Sequence, residues 1–103
     1  MKIVKSGFMY DTENSKLIYS FVAPGDPRGV NFEKEELFQT KKGAFFLVGS
    51  GGAGTKYHVG YGKDSMGGTL LSTLTEQEAM TWLEDHGAST FLIANYPLYV
   101  KEA

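Results

Sequence analysis

A chain of 103 residues, 42% hydrophobic and 21% charged, has the length and composition of one ordinary globular domain. It has no cysteine, which excludes disulfides, thiolate metal sites and cysteine nucleophiles, and a net charge of −2 argues against a strongly basic nucleic-acid binder. No apolar run approaches the ~20 residues of a membrane span and no signal-peptide core opens the chain, so the expected address is the cytoplasm, with no membrane partner.

Ile3 to Tyr10, rich in Ile, Val, Phe and Tyr, predicts a strand. Asp11-Thr12-Glu13-Asn14-Ser15 supplies side chains that make turns by bonding their own backbone. Leu17, Tyr19 and Phe21 then alternate with Ile18, Ser20 and Val22, the period of a second strand, and the two are expected to pair as an N-terminal hairpin. Apolar residues on both faces of this hairpin require cover on both sides. Ala23 to Gly29, with two prolines and two glycines, predicts a loop.

Val30 to Thr40 reads two ways. Glu33-Lys34-Glu35-Glu36 suits a helical turn, whereas Leu37–Thr40 suits a strand, and a strand over Glu36–Thr40 is the favoured reading. Lys41-Lys42-Gly43 then turns the chain into Ala44–Val48, with Phe45 and Leu47 on one face and Phe46 and Val48 on the other. So apolar a strand belongs inside a sheet rather than at its edge.

Nine of the thirteen glycines fall between Gly43 and Gly68, interleaved with Tyr57, His58, Val59, Tyr61 and Met66. That mixture predicts an ordered loop rather than a flexible linker. From Leu37 to Lys63 there are four lysines and no acid, with Asp and Glu gathered on either side. Thr69–Leu74 predicts a short strand.

Thr75-Glu76-Gln77-Glu78 is a capping box, in which threonine and glutamate each accept from the other's backbone amide. Ala79, Trp82, Leu83 and His86 at i, i+3, i+4 and i+7 form an inward stripe, and Gly87 ends a helix over 76–86. Ser89 is placed to cap a second short helix near 90–95, stopped by Pro97; the alternative is a strand through the apolar Phe91-Leu92-Ile93, and the helix is the favoured reading. The expected architecture is α+β, a single domain with an antiparallel sheet of about four to five strands in two hairpins and two C-terminal helices.

Gly49-Ser50-Gly51-Gly52-Ala53-Gly54 matches the dinucleotide fingerprint literally. That motif needs a helix starting within it, and Gly60 and Gly62 break the segment that follows. The order Gly54-Thr55-Lys56 also fails the P-loop, which places lysine before the hydroxyl residue. What remains is a basic surface with aromatic interleaving: Lys41, Lys42, Lys56, Tyr57, His58, Tyr61 and Lys63 are the candidate binding residues. His86 and Trp82 read as structural. No triad or metal-ligand spacing is present, so neither an enzyme nor a cofactor is expected.

Several segments together resemble a set of small, largely uncharacterised bacterial proteins, many carried on mobile elements. They are Tyr10-Asp11-Thr12, Thr40-Lys41-Lys42-Gly43 with Phe46-Leu47, Gly49 to Gly52, Thr55-Lys56-Tyr57, and Leu74-Thr75 through Glu78-Ala79 to Trp82-Leu83-Glu84. The resemblance covers most of the chain and brings no catalytic residue with it. Together with small size, mild acidity, tyrosine content and the lack of a catalytic constellation, the mobile-element resemblance points to a non-enzymatic binding protein, an accessory factor that inhibits a host defence complex by protein–protein contact, as anti-CRISPR proteins inhibit effector nucleases. The alternative is a module binding the phosphate of a nucleotide or nucleic acid through the basic glycine-rich loop 41–63.

Overall fold

A computed structural model describes residues 1–26 and 28–103, so Pro27 of the 23–29 loop lies outside the described residues. Among the described residues, six strands and two α-helices follow in order: β1 (Lys2–Lys5), β2 (Phe8–Asp11), β3 (Lys16–Val22), β4 (Glu33–Gln39), β5 (Phe45–Gly51), β6 (Gly68–Leu74), α1 (Glu76–Asp85) and α2 (Ser89–Asn95). β3 to β6 form an antiparallel meander in chain order, and β1 and β2 form a separate two-stranded ribbon. The expected α+β class and antiparallel sheet are therefore present.

The N-terminal pairing differs from expectation. The run Ile3–Tyr10 is not one strand, because Ser6 and Gly7 both take positive φ (53° and 81°) and turn the chain back on itself. Two central residues of that kind twist a two-residue turn to match its flanking strands. Lys2 thus pairs with Asp11 and Ile3 with Tyr10. β3 is left to pair with β4, across a bulge at Ile18. The extra residue shifts the alternation, so Ile18, Tyr19 and Phe21 all pack toward the helices.

β4 begins three residues earlier than expected and takes in the whole Glu33–Glu36 run. Its ladder with β3 on one side and β5 on the other overrides the helical preference of those four side chains. β5 lies between β4 and β6, the interior place its apolar sequence requires. The two faces of β5 serve two cores. Phe45 and Leu47 pack with Leu37, Met80, Leu83 and Leu92 beneath the helices. Phe46 joins Phe38 and Leu71 under the ribbon's Ile3 and Tyr10. Phe46 stacks on Phe38 with centroids 5.2 Å apart and meets the edge of Tyr10 at 5.5 Å. The molecule is thus layered as ribbon, sheet and helices, with each sheet face covered.

α1 starts as its capping box requires. The Glu78 amide donates to Thr75 Oγ1 at 3.1 Å, and the Thr75 amide donates to Glu78 Oε1 at 2.9 Å. Thr75→Ala should lower stability by about 1 kcal/mol, read as a shift in the urea midpoint. α2 starts at Ser89, with Ala88 at the cap and no side-chain cap bond. No helix among the described residues is long and apolar enough to cross a membrane.

Candidate functional site

Glu35 stands on β4 in register with Leu37, on the face that the helices cover, and is only 1% exposed. A carboxylate placed there must find donors, and the chain brings four. Tyr57 Oη donates to Glu35 Oε2 from the glycine-rich loop. Lys56 Nζ reaches the same oxygen at 3.1 Å. From α1, Trp82 Nε1 donates to Oε1 at 3.2 Å, and His86 Nε2 meets it at 3.0 Å. Loop, sheet and helix are pinned together at one side chain.

Further contacts orient these donors. His86 Nδ1 lies 2.7 Å from the Trp82 carbonyl. Both partners of the imidazole accept, so both bonds form only with a proton on each ring nitrogen. The ring stacks on Trp82 at 4.3 Å and meets Phe21 edge-on at 4.7 Å. Lys56 lies 5.3 Å from the centre of the Tyr57 ring. Tyr57 itself crosses over Gly49, the residue paired with Glu35 on the neighbouring strand. A β-carbon at Gly49 would overlap the tyrosine hydroxyl and ring, so only glycine lets the phenol reach the carboxylate.

Burial alone would push the Glu35 carboxyl up. The hydrogen bonds from Tyr57, Lys56 and Trp82, with the Lys56 charge, outweigh it and hold the group below its ordinary 4.5. Burial, and then the bond to Glu35, push the Tyr57 phenol well above its ordinary value. A carboxylate depressed in the folded state contributes stability that is fully present above 4.5 and disappears as pH falls through the folded value. The urea midpoint should therefore fall between neutral pH and about pH 3, and fall less steeply in Glu35→Gln. Glu78, bonded to Thr75, and Asp11, bonded to Asn14, are depressed too and act in the same direction.

The expected binding residues are not brought together. Lys41 and Lys42 sit exposed in the β4–β5 turn, at one end of β5. Lys56, Tyr57, His58, Tyr61 and Lys63 follow the other end, so β5 stands between the two groups. Lys56 and Tyr57 are committed to Glu35. His58 is exposed, with Nδ1 2.8 Å from the Thr55 carbonyl. Tyr61, 91% exposed, caps a 3-10 turn at Gly62–Asp64 in which the exposed Lys63 lies. The amides of Gly52 and Gly54 donate to the carbonyls of Phe32 and Val30, which ties the loop to the segment before β4.

Lys41 and Lys42 belong to a different surface. With β2 they border a groove of about 430 Å³ walled by Phe8, Met9, Tyr10 and Ala44. Phe8 and Met9 are 68% and 59% exposed. Among the described residues, no three His, Asp or Glu side chains gather as a metal would need.

Glu35 and His86 were not among the expected site residues. The available signal was a glutamate in phase with Leu37 on a strand, together with Trp82 and His86 four residues apart on the inward helix stripe. No family model, curated protein or solved structure matches the chain.

Proposed function

We propose that the protein is a non-enzymatic binding protein that acts by protein–protein contact through the groove between β2 and the 40–44 turn. The observation that carries this reading is the pairing of large exposed apolar side chains, Phe8 and Met9, with the exposed lysines Lys41 and Lys42 on one concave surface. An aromatic anchor with a charged rim is how protein interfaces concentrate their energy. Asp11 also lines the groove but is buried and bonded to Asn14, so the exposed charge of the rim is that of Lys41 and Lys42, and the matching partner surface carries an apolar side chain flanked by acids. The separation of Lys41 and Lys42 from Lys56 weighs against the alternative of a single phosphate site.

The partner we propose is a host defence complex, such as a CRISPR effector nuclease. Small size, mild acidity and the mobile-element resemblance support that choice. The test is complex formation with purified effector nucleases and inhibition of their cleavage, with nuclease-treated samples as the control for nucleic acid. Phe8→Asp should weaken the complex roughly thirtyfold or more, the scale of a hot-spot loss of about 2 kcal/mol. Lys41→Glu should slow association and reduce its salt dependence. Absence of both binding and inhibition across the panel would refute the defence assignment. Binding that survives Phe8→Asp and Lys41→Glu unchanged would refute the groove.

A further inference from the structure

The edge of the sheet at β6 differs from the other free strand edges. β1 carries Lys2 and Lys5, β2 carries Asp11, and β3 carries Lys16 and a bulge. Gly68–Leu74 has no charged residue and no proline, and it pairs with β5 without a bulge. Charges, prolines and bulges are the features that keep exposed edges from joining other strands. Among the described residues, the β6 backbone makes no hydrogen bond beyond its ladder with β5. Its outward amides and carbonyls therefore face away from the sheet with no partner among the described residues.

We propose that β6 pairs with β6 of a second copy of this chain, antiparallel about a two-fold axis at Leu71, to make one eight-stranded sheet. The strand is complementary to itself in that register. Thr69 faces Thr73 of the second copy, Leu70 faces its Ser72, and Leu71 faces its own equivalent. No rung opposes like charges, whereas β1 paired with itself would set Lys2 against Lys5. Leu71 belongs to the core under the ribbon, so the axis joins the Phe38–Phe46–Leu71 clusters of the two copies into one apolar layer. A two-fold contact of this kind closes on itself. β6 meeting β3 of a neighbour would instead leave a β6 edge at one end and a β3 edge at the other, so the same contact could repeat without closing.

Sedimentation equilibrium over a concentration series should show the mass rising from 11.3 kDa toward twice that value. Leu70 is 57% exposed, so Leu70→Lys adds an edge charge without opening the core, and it should weaken the dimer at least tenfold while leaving the circular dichroism spectrum unchanged. The chain's lack of cysteine allows the register to be read directly. A mixture of Thr69→Cys and Thr73→Cys chains should cross-link on oxidation, because opposed residues lie about 5 Å apart. Thr73→Cys alone should not, since its equivalents stand four residues off, roughly 13 Å. A mass that stays at one chain throughout overturns the proposal. So does a dimer indifferent to Leu70→Lys, or one in which Thr73→Cys alone cross-links as well as the mixture.

Discussion

Glu35→Ala is expected to lower the unfolding free energy by about 2–6 kcal/mol, measured by urea denaturation at neutral pH. Two buried donors, Tyr57 Oη and Trp82 Nε1, lose their acceptor, and each orphaned group costs about 1–3 kcal/mol. No buried polar side-chain atom among the described residues is now without a partner, so the loss would create a defect that the fold otherwise avoids. Against a total stability of about 5–15 kcal/mol for a domain of this size, that is a large fraction. Lys56 suffers least, since its side chain is mostly exposed and water replaces the carboxylate. A midpoint unchanged by Glu35→Ala would show that the four contacts to the carboxylate contribute nothing net.

Gly49→Ala carries the second large effect. The added methyl occupies the space of the Tyr57 hydroxyl and ring, so either β5 shifts or the phenol leaves Glu35. Overpacking alone costs about 1–3 kcal/mol, and expelling Tyr57 adds the loss of its buried bond. The cause is separable by a double-mutant cycle. Once Tyr57→Ala has removed the ring, Gly49→Ala should cost little, giving a coupling of about 1–3 kcal/mol. Additive losses would place the strain of Gly49→Ala elsewhere.

These two residues also show why part of the molecule was legible in the sequence and part was not. α1 announces itself locally, because Thr75 and Glu78 are three residues apart and cap one turn. β5 announces itself through Phe45 to Val48, since apolar residues on both faces fit a covered interior strand. The Ser6-Gly7 turn was a local signal overridden by the apolar run around it. Glu35 offers no such signal. Its donors lie 21, 22, 47 and 51 positions away, and a glutamate among charged neighbours reads as solvent-facing until β3 and β5 enclose it. Gly49 looked like part of a phosphate fingerprint because the ring that crosses it comes from a loop eight residues later. The scatter of the lysines has the same origin. Lys41 and Lys56 are close in number, but β5 runs straight between them.

The reach of the Glu35 contacts also sets an order in time. β3 to β6 pair with their sequence neighbours across at most sixteen intervening residues, whereas two of the four contacts to the carboxylate wait for α1 to arrive from 47 and 51 positions away. We expect Glu35 to be unengaged in the transition state for folding. In stopped-flow measurements Glu35→Gln should then speed unfolding and leave the folding rate nearly unchanged, and a slowed folding limb would refute that order. A carboxylate engaged last acts as a latch on the native state, governing how long the molecule stays folded rather than how quickly it folds.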